Sequence, residues 1–508
     1  MSALKIGWGR REYSLDKPVN IPGQMHMRRS EGVLDPLYIT ALVFDGTEAG
    51  GDAAIFVSVD ATGLGAICEQ ADKALREARP DIPVDNVIIG ATHTHTAMSF
   101  YNFEETFPDG SSLYSSKYVN EHFCNMLIEA VGEAWDNRKE GGIAYGYGYA
   151  VVGHSRRVIY SEDKGVANPL SAAPNGHGVM YGNTNDPTFI GYEAGADHFL
   201  NALYTFDTDK KLTGMIVNVP CPSQTGEMLY KLSADFWAEV RTNVAKEFGS
   251  DVYVLPQCAS AGDMAPRILH YKEAQKRRME LKYGLKYDNS KTSDAHGIDY
   301  YNKIMAERMD MAERITDAVK EVYAWAKKDI DFNAPVYFEG VVADLTPRMI
   351  TDRERKWCED TIEQMKSLIP KRENCSDEEY TVAVSRYNAF KNRNERAIRK
   401  HEKQKTEKTV PVDIRTARIG EVGFAANMFE LYIDYMHRIQ ARSPIKQTFL
   451  IELTGGNGLA GYLPTKRGIE NKGYSASIFC NQLGDVGGQE LVENTLKMLN
   501  NLAQKQGR

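Results

Sequence analysis

Short apolar runs alternate with amphipathic stretches over the first half of the chain. Two β-branched runs bounded by glycine and aspartate, 38–44 and 53–59, predict buried strands. The stretch 65–78 has apolar residues at helical spacing, including Ile67, Ala71 and Leu75 on one face. The alternation continues, with further strands predicted at 86–90, 212–219 and 251–255 and helices at 118–135 and 235–248. This order predicts an α/β fold in which helices cover a mixed sheet.

The pattern changes after about residue 268. Lys, Arg, Glu and Met dominate 273–286, 301–328 and 352–408, and the interspersed acids and bases predict helices with solvated faces. Strand-like runs return at 416–419 and 449–453, and a last helix is predicted at 489–502. Neither an internal repeat nor a low-complexity linker divides the chain. We therefore predict one domain over 1–508, with a helix-rich insertion at 270–408.

Composition and charge narrow the class of protein. The 508 residues carry 61 basic and 69 acidic side chains, and the net charge of -8 argues against non-specific binding to nucleic acid. The apolar runs fall far short of the ~20 residues of a membrane-spanning helix. Seven scattered cysteines without a C-x-x-C pair predict reduced thiols. The ordinary start of the sequence predicts a cytoplasmic protein, or a periplasmic or secreted one if an export signal has been removed.

The segment from Thr92 to Thr96 is the richest in candidate chemistry. A buried strand runs into Thr-His-Thr-His-Thr, and at a period of two residues His93 and His95 point to the same side. Such pairs at strand ends are frequent in hydrolytic metal sites, although two hydrogen-bonded surface histidines are the alternative. The carboxyl end of a buried strand is where open α/β sheets bind ligands, which favours a site.

Two other strand ends carry candidate carboxylates. Asp60 follows the strand at 53–59 and could orient a metal-binding histidine or cap a helix. Asp263 lies in a segment of small residues, 256–267, where the backbone can approach a ligand closely. Cys258 and Ser260 of that segment have no activating partner nearby in sequence, which favours packing roles over nucleophilic ones.

Several blocks together carry a resemblance to a known family. They are 23–46, Ser58-Val59-Asp60, Ala91-Thr92-His93-Thr94-His95, 257–266, 442–449, Gly461-Tyr462-Leu463-Pro464-Thr465 and Gly473-Tyr474-Ser475-Ala476. In this order they resemble the N-terminal catalytic domain of the neutral/alkaline, non-lysosomal ceramidases over nearly the whole chain. The resemblance implies that family's fold and a zinc-dependent hydrolysis of an amide bond.

The resemblance also implies residue roles. It assigns Zn²⁺ ligands to His93, Glu430 and Tyr462, and catalytic or substrate-contacting roles to His95, Tyr474 and Arg157. One imidazole, one carboxylate and one phenolate would leave Zn²⁺ a position for water, whose pKa falls to about 7 on zinc. Without the resemblance, packing at turns is the favoured interpretation of the two tyrosines, and an exposed position at a helix start is an equal alternative for Glu430.

Three departures from the family pattern bear on these assignments. The segment that should supply a second ligating histidine, 217–224, has none, so Cys221 is its nearest donor, with His154 or His177 as replacements from elsewhere. A different or missing metal site is the other alternative. A serine of many ceramidases corresponds to Ala259. The chain ends soon after 487–489, so we expect no C-terminal immunoglobulin-like domain.

The surroundings of these blocks suggest the substrate. Arg28 and His154, with His26, Arg29 and Arg156 nearby in sequence, would suit a polar or anionic group, ordinary surface charge being the alternative.

We therefore predict a metal-dependent hydrolase that cleaves an N-acyl bond in a lipid- or glycan-derived small molecule more polar than ceramide. One alternative is a carbohydrate-active enzyme that cleaves a sugar ester, N-acyl or glycosidic bond by His, Glu and Tyr acid–base chemistry without zinc. Another is a non-catalytic ligand-binding protein on the same fold. The sequence carries no signal for the oligomeric state.

Overall fold

A computed structural model describes residues 4–100, 113–165, 176–455 and 461–505. The prediction that no export signal opens the chain falls partly on residues 1–3, outside these ranges. The strands are β1 Lys5–Glu12, β2 Asn20–Ile21, β3 Arg28–Arg29, β4 Tyr38–Asp45, β5 Ala53–Val59, β6 Val87–Ala91, β7 Lys139–Tyr149, β8 His154–Ser155, β9 Arg157–Tyr160, β10 Gly178–Met180, β11 Phe189–Tyr192, β12 Phe199–Asp207, β13 Leu212–Val219, β14 Tyr253–Cys258, β15 Met264–Ala265, β16 Val336–Leu345, β17 Val410–Ile419, β18 Val422–Ala426, β19 Glu430–Leu431, β20 Gln447–Ile451 and β21 Tyr462–Leu463. The α-helices are α1 Ile67–Ala78, α2 Ser116–Asp136, α3 Phe236–Phe248, α4 Lys272–Tyr283, α5 Ile298–Ala326, α6 Asp352–Met365, α7 Asp377–Lys403, α8 Ile433–Arg442, α9 Lys466–Asn471 and α10 Asp485–Gln504.

Two sheets organise the molecule. The larger has eight strands in the order β14-β13-β12-β7-β1-β4-β5-β6, and the smaller has four in the order β16-β17-β18-β20. In the large sheet β13 pairs with β14 and β5 with β6 in parallel, while the remaining neighbours are antiparallel. The predicted α/β class with a mixed sheet is therefore confirmed.

The two sheets pack face to face over an aromatic core. The rings of Phe56 on the large sheet and Phe424 on the small sheet lie 4.5 Å apart, and Phe44, Phe338 and Phe449 belong to the same buried cluster. Helices α1, α2, α3 and α5 cover the other face of the large sheet, and α8 and α10 cover the small one. In the described part of the chain, helices thus cover one face of the large sheet and the second sheet covers the other.

The sequence predicted some elements closely and missed others. Strands β5 and β13 have the predicted bounds, since both are rich in apolar and β-branched residues. Strand β7 was not predicted, because its glycines have low strand propensity. They are required there by close packing: a Cβ at Gly146 would lie 2.1 Å from the Trp325 ring of α5. Tertiary contact therefore selects a strand that local propensity disfavours.

The region 270–408 is not helical throughout. Helices α4 and α5 precede β16, which is an edge strand of the small sheet, and α6 and α7 follow it. Helix α5 packs on β7 and β12, within the helical layer of the large sheet. The single domain with an insertion remains a prediction.

Two other sequence predictions can be compared with the structure. All seven cysteines lie in the described ranges and all are free thiols. No helix within those ranges combines the length and the apolar character needed to cross a membrane.

Candidate active site

The strands β14 and β6 form opposite edges of the large sheet, but the segments that follow them approach each other. Ser223 after β13 donates its hydroxyl hydrogen bond to the Thr92 carbonyl at 2.7 Å. The segment after β20 joins both edges: the Glu452 amide donates to Cys258 O at 3.1 Å, and Leu453 O accepts from the Ala91 amide at 3.4 Å. The segments that follow β6, β13, β14 and β20 therefore converge on one region.

His93 and His95 do come together, but not through strand alternation. Strand β6 ends at Ala91, and His93 has a φ of 63°, a left-handed conformation that a non-glycine residue adopts only at a cost of about 1 kcal/mol or more. The Nδ1 of His93 donates to Thr62 O at 2.5 Å, which leaves Nε2 as a lone-pair donor. That Nε2 lies 3.5 Å from the Nε2 of His95. A strained turn therefore aims His93 into the site.

Glu430 and Tyr462 meet His93 at this point. They are register partners in the parallel pair of β19 and β21, so that the carboxylate and the phenol lie side by side. Glu430 Oε2 lies 3.4 Å from His93 Nε2 and forms no hydrogen bond within the described part of the chain. Burial would raise the pKa of Glu430, but its interactions with His93 and Arg156 outweigh this effect and the pKa lies below its usual value. Glu430 is therefore an ionised, largely buried carboxylate with one oxygen available to a ligand.

Tyr474 completes an aromatic pair with Tyr462. It begins a 3₁₀ turn, Tyr474–Ala476, and the two rings are 5.7 Å apart in an edge-on arrangement. Burial raises the pKa of both phenols well above the ordinary tyrosine value, and the negative charge of Glu430 adds to the effect. Both phenols are therefore protonated near neutral pH and can donate hydrogen bonds.

The arginine in this cluster is Arg156. Its Nη2 lies 3.6 Å from Glu430 Oε2, donates to Tyr462 Oη at 3.4 Å, and donates to Gly262 O at 3.0 Å. Burial acts against the charge, but Tyr462, Tyr181 and Glu430 outweigh it and raise the pKa of Arg156 well above its usual value. A permanent cation is thus fixed beside the Glu430 carboxylate.

Arg157, which was predicted to contact substrate, lies elsewhere. Its guanidinium forms two hydrogen bonds of 2.8 Å with the carboxylate of Glu193, and it also donates to Ser475 Oγ and to Lys472 O. Its side chain is completely buried. Neighbouring residues of an extended chain point to opposite sides, so the structure places Arg156 in the site and Arg157 in a buried ion pair.

Within the segment 217–224, where Cys221 was considered as a ligand, the residue that reaches the site is Gln224. Its Nε2 donates to His95 Nε2 at 2.5 Å, while its Oε1 accepts from Arg156 Nη1 at 3.2 Å and from Tyr181 Oη at 3.3 Å. These partners fix the orientation of the amide. Gln224, the polar residue at the end of this segment, was not predicted, because a metal site there requires a histidine or a cysteine.

The Cys221 thiol has other partners. Its Sγ donates to the carbonyls of Val152 at 3.4 Å and Pro222 at 3.6 Å, and burial raises its pKa well above the usual value. The structure therefore places the Cys221 thiol against backbone carbonyls, while Gln224 of the same segment contacts His95.

His95 is held from both sides. Arg28 donates to His95 O at 2.6 Å and to the Leu229 carbonyl at 2.9 Å, and the Nδ1 of His95 lies 3.7 Å from Glu227. Burial, followed by the interactions with His93 and with the charges of nearby arginines, lowers the pKa of His95 well below 6.5. His95 is thus a neutral imidazole, and the Arg28 guanidinium, considered for substrate binding, braces backbone carbonyls instead.

The remaining predicted residues lie around this cluster. Asp60 accepts two hydrogen bonds from Arg241, at 2.8 and 3.0 Å, and since α1 begins only at Ile67 it is not a helix cap. Asp263 accepts from the Ile433 amide at 2.9 Å and so positions α8. His154 lies beside the His198 ring, 6.2 Å between centroids. Asp60 was considered as the residue that orients a metal-binding histidine, but it is the Thr62 carbonyl that accepts the hydrogen bond of His93.

Two solved structures have this architecture. The crystal structure of neutral ceramidase from Pseudomonas aeruginosa matches with a TM-score of 0.64 at 13% identity, over 100% of this chain and 76% of that one. A ceramidase complexed with C2 matches with a TM-score of 0.63 at 12% identity, over 99% and 76%. The fold is ceramidase-like. No protein-family model and no curated protein matches the sequence.

The ceramidase-like fold raises the question of whether these side chains suit a zinc ion. Ligands at 2.0–2.1 Å from a tetrahedral ion are about 3.4 Å apart, and His93 Nε2 and Glu430 Oε2 have this separation, 3.4 Å. Glu430 Oε2 is also a buried oxygen without a hydrogen bond. No three His, Cys, Asp or Glu side chains of the described ranges form a ligand cluster, so Tyr462 would have to be the third ligand. Zinc would bind Tyr462 as a phenolate, so metal binding would have to displace the proton that this phenol holds here; with that change, the donor types are those of a zinc site.

The buried Asp263 predicts a measurable pH dependence of stability. Burial raises its pKa from 3.8 to about 7, so the native state holds a proton that the unfolded state has released between these values. The free energy of unfolding should therefore fall as the pH rises from about 4 to about 7, by roughly 4 kcal/mol at most. Asp263→Asn, which keeps an acceptor for the Ile433 amide, should lose this decline. Urea titrations of both proteins at each pH test it, and parallel profiles would contradict it.

Proposed function

We propose that this protein is a hydrolase that cleaves an amide bond in an N-acyl substrate more polar than ceramide, with a zinc ion bound by His93, Glu430 and Tyr462. The observation that carries the proposal is the meeting of His93 Nε2 and the unbonded Glu430 Oε2 at 3.4 Å, beside a buried arginine and two phenols. The likeness to solved ceramidases supports the reaction class. Arg156, a buried cation beside Glu430 and Tyr462, supports the polar substrate.

The protein's own groups prepare the site for this chemistry. Zinc, when bound, would lower the pKa of a coordinated water and polarise the substrate carbonyl. The Thr62 carbonyl fixes the tautomer of His93 and so keeps Nε2 available. The pairing of β19 with β21 holds Glu430 and Tyr462 at adjacent positions. The preorganised donors require no rearrangement of the backbone.

His95 is the proposed proton acceptor. Its lowered pKa keeps the ring neutral, and a neutral imidazole within reach of the attacking water can accept the water's proton and later donate it to the leaving nitrogen. The Nε2 that would accept it receives the Gln224 amide hydrogen bond in this structure. Gln224 also contacts Arg156, and thereby couples the position of the base to that of the cation.

Arg156 and Tyr474 are the proposed stabilisers of the oxyanion. When water attacks the carbonyl carbon, negative charge develops on the carbonyl oxygen, and a fixed cation and a protonated phenol lower the energy of that state. Arg156 retains its charge at every accessible pH. Tyr474 is a donor because burial keeps its proton in place.

Replacing Arg156 should therefore affect the reaction rate more than the fold. We expect Arg156→Met to lower kcat by ~10²–10³-fold, the effect of removing an oxyanion donor, with KM changed less. Steady-state kinetics on the best substrate measure it, and circular dichroism verifies folding. Arg442→Met, which removes an exposed arginine paired with Glu493, is the matched control and should be unchanged. An Arg156→Met enzyme with full kcat would contradict the role.

The zinc-dependent reaction is tested by metal content together with activity. The purified protein should contain about one zinc per chain, lose amide hydrolysis in a chelator and regain it with zinc. In a panel of ceramide, N-acyl amino acids and N-acyl sugars, the polar compounds should be hydrolysed faster than ceramide. Unaltered turnover without bound metal would overturn the zinc chemistry and favour acid–base catalysis. Binding without turnover, persisting in His93→Ala, would indicate a ligand-binding protein.

A further inference from the structure

A cavity of about 410 Å³ lies between α7 and the segment 478–482. Its lining contains six basic side chains, Arg348, Arg393, Arg396, Arg399, Lys400 and Lys403, and one acidic side chain, Glu407. Glu407 lies 3.5 Å from Lys403. The protein as a whole has a net charge of -8, so this groove is a local reversal of its charge. We call it the basic groove.

The charge of the basic groove is poorly compensated by carboxylates. Lys400 donates to the carbonyls of Asn481 at 2.6 Å and Gln482 at 3.3 Å, and Arg348 donates to Ala476 O at 2.6 Å. Within the described ranges neither cation has a carboxylate oxygen within 4.0 Å. Burial, together with the charge of Arg348, lowers the pKa of Lys400 to about 8. Two partly buried cations with only carbonyl partners are stabilised by a bound anion.

Other cations of α7 behave differently. Lys391 lies 3.5 Å from Glu395, and Lys405, just after the helix, lies 2.5 Å from Glu402. Ordinary solvated helix faces alternate charges in this manner. In the groove itself Arg399 lies 3.9 Å from Glu395 and Lys403 lies 3.5 Å from Glu407, but the lining as a whole has six basic side chains and one acidic side chain.

The floor of the groove supplies an apolar surface beside the cations. The Phe479 ring lies there, and the Arg393 guanidinium is 4.5 Å from its centroid. Arginine forks bind the paired oxygens of phosphate, sulfate and carboxylate groups, while an aromatic floor suits the carbon skeleton that carries them. A small organic anion matches both features.

We propose that the basic groove is a binding site for a small molecule carrying a phosphate, sulfate or carboxylate group. The groove adjoins the candidate active site through its floor. Asn481 donates to Tyr462 O at 2.9 Å and to Ser475 O at 2.8 Å, and the Tyr462 amide donates to Cys480 O at 2.9 Å. An anion bound there contacts the segment that carries Tyr474. The inference concerns binding alone and stands independently of the proposed hydrolysis.

Calorimetric titration tests the groove directly. The probes are inorganic phosphate, inorganic sulfate and glucose 6-phosphate, with potassium chloride at equal ionic strength as the blank. We expect saturable binding of at least one probe with one site per chain and none of chloride. Tighter binding of glucose 6-phosphate than of phosphate identifies an organic ligand that uses the Phe479 floor, and equal binding identifies recognition of the anion alone.

Variants locate the site on the protein. Arg396 and Lys403 are exposed, so the double substitution Arg396→Gln with Lys403→Gln should leave the protein folded and weaken binding at least tenfold. Lys391→Gln removes a cation from the same helix outside the groove and should bind as the wild type does. Affinity should also fall above pH 8, where Lys400 loses its proton. Absence of saturable binding to every probe, or equal affinity in the double variant, would overturn the proposal.

Discussion

Replacing Glu430 by glutamine should lower kcat/KM for the hydrolysed amide by ~10³-fold and reduce the bound zinc. The glutamine side chain has the shape of glutamate but carries no charge. It therefore offers neither a strong metal ligand nor a counter-charge to Arg156, which lies 3.6 Å from the Glu430 carboxylate. Kinetics and metal analysis on the folded variant measure both effects. His93→Ala should show the same two losses, because its Nε2 is the partner of the Glu430 oxygen.

A matched control separates this effect from a general loss of acidic charge. Glu421→Gln removes an exposed carboxylate paired with Lys446, and it should leave kcat/KM and zinc content unchanged. If Glu430→Gln retains activity and metal, then neither the metal site nor the proposed hydrolysis is centred on His93 and Glu430. Loss of activity with metal retained would instead indicate that Glu430 acts on the substrate.

Replacing Arg157 by methionine should destabilise the protein by about 3–5 kcal/mol, because it leaves the buried Glu193 carboxylate without its counter-charge. The Ser475 and Lys472 contacts are lost at the same time. Urea denaturation measures the free energy of unfolding. Comparison with Arg156→Met separates the two roles. Arg157→Met should lower the free energy of unfolding, and Arg156→Met should lower kcat.

A second substitution tests the cause of this instability. Arg157→Met combined with Glu193→Leu removes both charges and should recover most of the lost stability, since two apolar side chains can replace a buried ion pair. A single Arg157→Met variant as stable as the wild type would contradict the structural role. Lost activity with unchanged stability would return Arg157 to the substrate-contacting role that the sequence suggested.

The limits of sequence reasoning are clearest at these two arginines and at Gln224. Arg156 and Arg157 are adjacent, and a shift of one residue exchanges the side of the chain to which each side chain points. Sequence alone could not determine this, because the short strands β8 and β9 on either side obtain their register from partners that are distant in the chain. Gln224 was missed because its role depends on His95 and Arg156, which are 129 and 68 residues away.

The sequence by itself determined the α/β class, about a third of the strands and most helices near their observed bounds, the free cysteines and the blocks that carry His93, His95, Glu430, Tyr462 and Tyr474. These depend on local periodicity and on motifs that remain readable within a few residues. Only the tertiary structure decided that a second sheet covers the first, that Gln224 contacts His95, and which arginine faces Glu430. Each of these depends on contacts between distant segments, whose geometry arises only when the whole core is packed.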